Sequence, residues 1–373
     1  MTGKPLKIGM EAERANLPNP TGVERFASEL IANLSKLDTE NQYLLYFRTQ
    51  PMEQFKSLPA NFVRRVIPFP KFWTQTRLAL ELLLHPVDVF FLPIQALPFV
   101  HPRKSVIVVH DIAYEFFPDA FPRFMRFYLK LTTRFGVRAA RKIIAVSEST
   151  KSDLVKTYKL SPDKISVVHL GVDSKFAPLP YEQTQKVLDK YNLSYKKYIL
   201  FLGTLQPRKN ISRLVDAYIT LRQQYHIEEK LVIAGGRGWL WEPIESKLNQ
   251  SRISGSVVHL GYVDEQDKQA LYNGAVLLTL PALYEGFGLP PLEAMACGTP
   301  VVVSNISSLP EVVGDAGVLV DPNSAEKIAE GILKVLSDKS LQAELGKNGI
   351  ARAKQFTWER TAAQTLAVLE SLK

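Results

Sequence analysis

The residues best suited to chemistry in this 373-residue sequence lie in one short stretch, YEGFGLPPLEAMACGTP, from Tyr284 to Pro300. It holds two acids, Glu285 and Glu293, and two glycines, Gly286 and Gly288, followed by a pair of prolines. Glycine lets the backbone approach a ligand closely, and proline suits the first turn of a helix, whose free amides and dipole favour a phosphate. The stretch therefore predicts an anion-binding loop that opens into a helix, beside carboxylates that could accept hydrogen bonds from hydroxyl groups.

A second stretch, FLGTLQPRKNISRLVDAY, supplies positive charge. Its pattern predicts a strand, a loop and a helix, with Arg208 and Lys209 in the loop and Asn210 as the N-cap of the helix. Two adjacent cations at the end of a strand fit a diphosphate. Taken alone, either acid of the first stretch is more simply a charge on the surface. Taken together, the acids, cations and glycines indicate a site for a nucleoside diphosphate-sugar.

Short apolar runs alternate with amphipathic helical segments along the whole chain, and SVIVVH, YILFLGTL and VLLTLP are among the candidate strands. Continuous apolar strands between helices are typical of parallel sheets covered on both faces, so the predicted fold class is α/β. A polar helix and a lysine pair near residue 192 separate two such alternations. We therefore predict two Rossmann-like domains, residues 1–192 and 193–355, that face each other across a cleft, with ligands outside the carboxyl ends of the strands.

The net charge of +9 comes entirely from the first half of the chain. Residues 1–192 hold 27 Lys and Arg against 18 Asp and Glu, whereas residues 193–373 hold 19 of each sign. Such an excess suits an anionic membrane surface, an acidic acceptor or nucleic acid, although a solvated basic surface without a partner explains it equally well. No nucleic-acid recognition motif accompanies the charge, so nucleic acid is not an expected partner.

The remaining composition bears on compartment and cofactors. A single cysteine, Cys297, allows no intramolecular disulfide and fits a reducing compartment. The N-terminus has no apolar signal core, and no apolar run reaches the roughly 20 residues that span a bilayer, so a cytoplasmic location is expected. No D-x-D pair occurs, and the six histidines show no ligand spacing. We therefore expect neither a metal ion nor another cofactor.

The segment FPRFMRFYLKLTTRFGVRAARK combines a basic stripe with an apolar one at helical spacing. Its cations are Arg123, Arg126, Lys130, Arg134, Arg138, Arg141 and Lys142. One interpretation is a peripheral contact with the inner face of the membrane, close to a lipid-linked acceptor. The other is a packed domain helix with a solvated basic edge. The earlier segment KFWTQTRLALELLL leaves the same two alternatives open.

Beyond its own chemistry, EGFGLPPLEAMACGTPVV resembles the E-x7-E signature of the retaining glycosyltransferases of family four, which have the GT-B fold. The segments TGVERFASEL, VVHDIAYEFFP, FLGTLQPRKN and LGYVDEQDKQALYNGA extend the resemblance over nearly the full chain, in the order of the family. The resemblance implies transfer of a hexose from a nucleotide sugar to a glycan or lipid-linked acceptor, without a metal ion. It also implies that the last helix, residues 356–373, crosses back to the N-terminal domain.

The resemblance also implies a role for each matching residue. Glu285 would bind the hydroxyls of the donor sugar and Glu293 the ribose, while Lys209 and Arg208 would neutralise the diphosphate. His110 would reach the transferred sugar from the N-terminal domain. Tyr262 and Val263 would frame the base of the nucleotide. The other donor contacts that the resemblance implies are Gly22, Gly286, Phe287, Gly288 and Leu289.

The expected donor is GDP-mannose, because TLQPRKN and HD look most like the corresponding segments of mannosyltransferases in polysaccharide assembly. One position departs from the family: Thr204 stands where many relatives have an arginine, and Arg208 is the expected replacement. UDP-glucose and UDP-N-acetylglucosamine are the alternative donors. An NAD-dependent oxidoreductase would share the layers of the fold, but the first loop lacks G-x-G-x-x-G. A non-catalytic sugar- or lipid-binding protein would keep the cleft without turnover.

Overall fold

The computed structural model describes residues 4–18, 22–250 and 255–373. By their contacts, these residues form two compact units. The first unit comprises the residues up to Ile112 together with Phe124–Gly171 and Thr357–Lys373, and the second comprises Ala113–Arg123 and Val172–Phe356. Each unit contains one parallel β-sheet, which confirms the predicted α/β fold class.

The first unit has a seven-stranded sheet in the order β3-β2-β1-β4-β5-β6-β7. Its strands are β1 (Lys7–Glu11), β2 (Gln42–Phe47), β3 (Phe62–Val66), β4 (Val89–Leu92), β5 (Ser105–Val109), β6 (Lys142–Ala145) and β7 (Ile165–Val167). Its main helices are α1 (Gly22–Leu37), α2 (Ala79–Leu84), α4 (Arg123–Ala139), α5 (Glu148–Tyr158) and α14 (Trp358–Glu370). The central strand β4 is buried at every position, as its unbroken apolar sequence VFFL predicts.

The second unit has a six-stranded sheet in the order β10-β9-β8-β11-β12-β13. Its strands are β8 (Tyr198–Leu202), β9 (Lys230–Ala234), β10 (Val257–Gly261), β11 (Leu277–Leu280), β12 (Val301–Ser304) and β13 (Val318–Val320). Its helices are α3 (Ala113–Phe116), α6 (Tyr181–Leu188), α7 (Ile211–Gln224), α8 (Glu242–Gln250), α9 (Lys268–Gly274), α10 (Leu289–Ala296), α11 (Leu309–Val313), α12 (Ala325–Ser337) and α13 (Lys339–Ala353). None of the helices in the described ranges is both long and apolar enough to cross a membrane.

The predicted boundary at residue 192 lies inside the second unit. The reason is that α6 packs closely against α9 of that unit: a Cβ on Gly274 would lie 2.6 Å from Leu188 Cδ1. The chain therefore changes unit between Gly171 and Val172, before α6 rather than after it. A short amphipathic helix shows an apolar face in its sequence, but not which sheet that face will cover.

The last helix, α14, is part of the first unit. It packs along α1, and Thr361 Oγ1 donates a hydrogen bond to the carbonyl of His169 at 2.7 Å. Gly171 permits the close approach, because a Cβ there would lie only 2.3 Å from the backbone nitrogen of Trp358. The two ends of the described chain are thus joined within one unit.

The loops that follow β8 and β9 meet at two glycines. Gly203 follows β8, and Gly235 follows β9 with φ +149°, a conformation that side chains rarely adopt. A Cβ on Gly235 would lie 2.0 Å from the carbonyl oxygen of Gly203. This contact fixes the start of the loop that carries Arg208 and Lys209.

We expect Gly235→Ala to lower the free energy of unfolding of the second unit by at least about 2 kcal/mol, because both the backbone angle and the neighbouring carbonyl must shift. Gly236→Ala is the matched control, since a Cβ on Gly236 meets nothing within 4 Å. Urea-induced unfolding of the two variants measures the difference. Equal stabilities would show that the close approach of the two loops is not a constraint.

Candidate functional site

Two loops at the carboxyl edge of the second sheet carry the candidate site. The strands β8 and β11 are adjacent and parallel, so the loops that follow them lie side by side. The first loop contains the 3-10 turn Pro207–Lys209 before α7, and the second leads through Gly288 into α10. The amide of Leu283 donates to the carbonyl of Arg208 at 2.8 Å, which joins the two loops through their backbones.

A buried ion cluster joins the same loops through their side chains. Lys209 Nζ donates to Glu285 Oε1, and Arg208 Nη1 lies 3.5 Å from Glu285 Oε2. Arg208 also donates to the carbonyl of Tyr284 at 3.0 Å. Glu285 and Lys209 are each 7% exposed, so the interpretation of Glu285 as a solvated loop acid is wrong. The three side chains carry one net positive charge, which suits an anionic ligand.

The cluster keeps Glu285 ionised. Burial alone would raise the pKa of this carboxyl group, but the charges of Lys209 and Arg208 outweigh the effect of burial and hold the pKa below its ordinary value. Glu285 is therefore a hydrogen-bond acceptor at neutral pH, with lone pairs suited to hydroxyl groups. Its partners are also the cations that would face a diphosphate, so the acid positions them as well as neutralising one charge.

Two serines that sequence reasoning missed hold the backbone of Glu285. Ser307 Oγ and Ser308 Oγ donate to the carbonyl of Glu285 at 2.6 Å and 2.8 Å, and the amide of Glu285 donates to Ser307 Oγ at 3.2 Å. Ser308 Oγ also lies 2.8 Å from the carbonyl of Phe287. These serines lie between β12 and α11, in the loop next to the one that carries Glu285. The only sign of them in the sequence is the pair SS before LPEVV.

Asn210 differs from its predicted role. It occupies the N-cap position of α7, but its φ of +61° is left-handed and its side chain makes no capping hydrogen bond. Instead, Asn210 Nδ2 donates to the carbonyls of Pro281 and Pro322, at 2.9 Å and 2.7 Å. The residue links three loops at the carboxyl edge of the sheet, because the neighbouring backbones offer unpaired carbonyls that a buried amide can satisfy.

The glycine-bearing loop has the predicted geometry at its junction with α10. Gly288 adopts φ +111° just before the helix, whose first turn contains the prolines. A Cβ on Gly288 would lie 2.7 Å from Leu309 Cδ2, so glycine is required for space as well as for conformation. The ring of Phe287 is buried 5.8 Å from that of Phe356, so any contact of Phe287 with a ligand would come from its backbone.

Glu293 is buried rather than exposed on the helix surface. It is 4% exposed, and its Oε2 accepts a hydrogen bond from the hydroxyl of Tyr272 at 2.7 Å. Tyr272 lies on α9, so this bond joins α9 to α10. The interpretation of Glu293 as a surface charge is therefore wrong. Its predicted contact with a ribose would have to share the carboxylate with Tyr272, a partner that the sequence did not indicate.

The predicted base contacts follow β10, at the same carboxyl edge but two strands from β8. Tyr262 exposes 61% of its surface and could lie along a planar ligand, whereas the side chain of Val263 is buried. Val263 could therefore contact a base only through its backbone. Gly261, which ends β10, adopts φ +70° and turns the chain at this point.

A segment from the N-terminal part of the sequence, Ala113–Arg123, packs within the second unit close to these loops. Phe116 stacks on Tyr284 with ring centroids 5.6 Å apart, and Phe121 lies 5.4 Å from Trp239. Tyr284 immediately precedes Glu285. Sequence reasoning assigned no role to these aromatic residues, because their contacts join parts of the chain more than a hundred residues apart.

The two predicted site residues of the first unit lie near each other at the carboxyl edge of its sheet. His110 follows β5, and Gly22 begins α1, whose Phe26 packs edge-on against the imidazole at 5.1 Å. His110 Nε2 lies 3.0 Å from the carbonyl of Pro93 and must donate to it, which leaves Nδ1 as the nitrogen that can accept.

The imidazole of His110 is neutral at neutral pH. Burial lowers its pKa below the ordinary value, against the opposing effects of the Pro93 hydrogen bond and the charges of Asp111 and Glu24. A neutral imidazole with Nδ1 as an acceptor can receive a hydrogen bond from a hydroxyl group. Among the residues that the structure describes, no three His, Cys, Asp or Glu side chains lie close enough together to hold a metal ion.

Comparison with known proteins shows which protein family the chain resembles. The family described as "Glycosyl transferases group 1" matches residues 184–352, and the family described as "Glycosyltransferase Family 4" matches residues 20–176. The O-antigen chain mannosyltransferase B of Escherichia coli is 37% identical over 268 residues, which cover 71% of this chain and 69% of that protein. The serotype-specific mannosyltransferase WbdA of the same species is 32% identical over 272 residues, which cover 70% of this chain but only 32% of that protein.

Solved structures share the fold at lower identity. Anabaena Alr3699/HepE in complex with UDP-glucose superposes with a TM-score of 0.77 at 19% identity, over 98% of this chain and 100% of that one. At this level of identity the likeness concerns the fold.

We expect Lys209→Met to lower the free energy of unfolding of the second unit by about 3 kcal/mol at pH 7, because it removes one partner from a buried ion pair. The folded-state pKa of Glu285 lies below its ordinary value of 4.5, so the cluster contributes its full stability above pH 4.5 and loses it as the pH falls through the folded pKa. The difference between wild type and variant should therefore shrink in acid.

The matched control is Lys247→Met, which breaks a partly exposed pair with Asp216 and should cost at most about 1 kcal/mol. Urea-induced unfolding at pH 7 and at acid pH measures all three proteins. If Lys209→Met and Lys247→Met cost the same at pH 7, the buried cluster does not have the energetic weight assigned to it.

Proposed function

Since this chain is a glycosyltransferase that belongs to family 4 and has the GT-B fold, we propose that it transfers mannose from GDP-mannose to a glycan or lipid-linked acceptor. The transfer retains the anomeric configuration and needs no metal ion. The observation that carries the proposal is the buried cluster of Glu285, Lys209 and Arg208, which has one net positive charge beside the opening of α10.

Mannose as the transferred sugar is supported by the relatives. Both of the Escherichia coli proteins described above are named mannosyltransferases, and their matches span about 70% of this chain. The alternative donors are UDP-glucose and UDP-N-acetylglucosamine. UDP-glucose should be tested because a protein of similar fold was solved in complex with it. Tyr262, exposed just after β10, is the residue through which the guanine of GDP and the uracil of UDP would be distinguished.

Breaking the bond between the sugar and the diphosphate develops positive charge on the sugar ring and negative charge on the leaving phosphate. Lys209 and Arg208 would stabilise the negative charge, together with the amides of Gly288 and Leu289 at the start of α10. These groups are already oriented by Glu285 and by the backbone bonds between the loops, so little reorganisation is required as the charge forms.

Glu285 acts as a positioning group for the sugar in this proposal. Its ionised carboxylate would accept hydrogen bonds from the sugar hydroxyls while it remains paired with Lys209. The departing phosphate oxygen would take the proton of the acceptor hydroxyl as the new bond forms on the same face, which preserves configuration. His110, with Nδ1 as the accepting nitrogen, would orient a hydroxyl of the transferred sugar.

The acceptor would be a growing glycan, either free or linked to a lipid, and the reaction would take place in the cytoplasm at the inner face of the membrane. The basic excess of residues 1–192 supports this location, because anionic lipids attract such a surface. A non-catalytic sugar-binding protein would have the same cluster without turnover, so turnover is what separates the two functions.

We expect GDP release from GDP-mannose in the presence of acceptor glycan, and much slower release from UDP-glucose or UDP-N-acetylglucosamine. Glu285→Gln should lower kcat by about a hundredfold or more, because the sugar loses its positioning carboxylate and the cations lose theirs. Nucleotide release measured with each donor, alongside calorimetric binding of GDP-mannose, separates loss of turnover from loss of binding.

Glu330→Gln is the control, since Glu330 is an exposed helical acid that pairs with Lys327. Circular dichroism confirms that each variant is folded. Turnover with UDP sugars alone would reject GDP-mannose as the donor, whereas full activity of Glu285→Gln would reject the site. Binding of GDP-mannose without turnover on any mannan-type acceptor would favour the non-catalytic alternative.

A further inference from the structure

The first half of α4 presents its apolar side to solvent. Phe124, Phe127, Tyr128 and Leu131 recur at helical spacings of three and four, so they form one stripe, and all four are exposed, Phe124 by 82%. The residues of α4 that pack inward, such as Thr132, Thr133 and Gly136, lie on the opposite side. The interpretation of this segment as an ordinary packed helix therefore holds only for its second half.

The helix α2 also exposes apolar side chains, and in addition it buries its charged residue. Its one acid, Glu81, is 1% exposed and makes ion pairs with Arg65 Nε at 2.6 Å and with Arg77 Nη1 at 2.9 Å. Leu80, Leu83 and Leu84 point away from that cluster, with 49%, 66% and 61% of their surfaces exposed. A surface helix ordinarily buries its leucines and exposes its acid, so the outer side of α2 is built for apolar surroundings.

Contacts in the first unit connect these two helices into one face. Phe135, one turn beyond Leu131 on α4, packs edge-on against Phe99 at 4.9 Å. The amide of Phe99 donates to Gln75 Oε1 at 3.0 Å, and Gln75 lies in the helical turn that leads into α2. Phe72, at the start of that turn, is 78% exposed and adopts a left-handed φ of +54°, which is costly for a bulky residue.

We call this surface the apolar–basic face, and it is large. It contains 12 of the 23 large apolar side chains that are exposed in the described part of the chain. They are Phe69, Phe72, Leu80, Leu83, Leu84, Phe99, Val100, Phe124, Met125, Phe127, Tyr128 and Leu131. A concentration of exposed apolar side chains on one part of a domain marks a site of interaction with a partner or a membrane.

The charge beside the stripe identifies the partner. The helix α4 contains five basic residues and no acid, and its arginines follow one flank of the apolar stripe. Arg123, Arg126 and Arg134 make no ion pair with any residue that the structure describes. Apolar side chains flanked by uncompensated arginines match the acyl chains and phosphate groups of an anionic bilayer, which offers both at the required depth.

We propose that the apolar–basic face binds the surface of an anionic phospholipid bilayer and so brings the first unit to a lipid-linked acceptor. Delivery to a lipid-linked acceptor rests on the proposed function, whereas binding to the bilayer does not. A second copy of the chain fits the face less well. In a symmetric pair the same patch meets itself, so the arginine flanks of two α4 helices would be brought together with no acid on either helix to offset them.

The experiment is sedimentation of the full chain with extruded vesicles of phosphatidylcholine, with and without about 30% phosphatidylglycerol. We expect the wild type to sediment with the anionic vesicles and to be released in about 1 M NaCl, where charges are screened within about 3 Å. The triple variant Phe124→Ser/Phe127→Ser/Leu131→Ser should lower the partition coefficient about tenfold or more, because the stripe no longer enters the bilayer interface.

Charge and apolar surface are tested separately. Arg126→Glu/Arg134→Glu should weaken binding to the anionic vesicles by at least about fivefold per arginine, with little change on neutral ones. The matched control is Leu37→Ser/Tyr225→Ser/Leu319→Ser, which removes exposed apolar side chains elsewhere and should bind as the wild type does. Urea-induced unfolding verifies that the variants remain folded.

Several results would overturn the proposal. The wild type could stay in the supernatant with both kinds of vesicle, or the stripe variant and the control could lose binding equally. A third contrary result is a wild type that ignores vesicles and forms a dimer, seen by light scattering, that the stripe variant abolishes. No nucleotide sugar is present in the vesicle assay, so the two proposals fail independently. If the chain turns over GDP-mannose but does not bind vesicles, only the membrane surface is rejected. If it binds vesicles but does not turn over GDP-mannose, only the proposed donor is rejected.

Discussion

The candidate site depends on one constraint: a carboxylate withdrawn from water must be paired. Glu285 is buried at the edge of the second sheet, and without a cation its ionised form would be strongly disfavoured. Lys209 and Arg208 supply the pairing, and the pKa of Glu285 falls below its ordinary value although burial acts in the opposite direction. The acid in turn holds the two cations in place. The cations that would bind a diphosphate are therefore oriented by their ion pairs with Glu285 before any ligand arrives.

The fold makes this pairing possible because strand order, not chain order, brings the groups together. Lys209 and Glu285 are 76 residues apart, yet β8 and β11 are neighbours, so their carboxyl ends share one edge. The precision comes from the backbone. Ser307 and Ser308 hold the main chain of Glu285, and Asn210 joins three loops through its amide. An ion pair of this kind stabilises a site only when such hydrogen bonds determine its geometry.

Local patterns were enough to predict the parallel sheets, the loop with Gly288 and the positions of both cations, because each depends on residues close in sequence. The missed features all depend on contacts between distant segments. The unit boundary lies before α6 because that helix packs on α9, and Tyr272 reaches Glu293 between two helices. The segment Ala113–Arg123 joins the second unit through aromatic contacts. Periodicity gives the apolar face of an element but not the surface that it covers.

The same rule of pairing also accounts for the unusual surface of the first unit. Glu81 is buried with Arg65 and Arg77, as Glu285 is with Lys209 and Arg208, but it lies beneath a helix and not at the end of a strand. The acid of α2, Glu81, lies on the inner side of the helix, and leucines occupy the outer side, which faces solvent. Leucines left in water contribute little burial free energy to folding, and Glu81 occupies the inner position that a leucine would ordinarily take. The position of Glu81 is therefore itself an argument for a partner that covers the leucines.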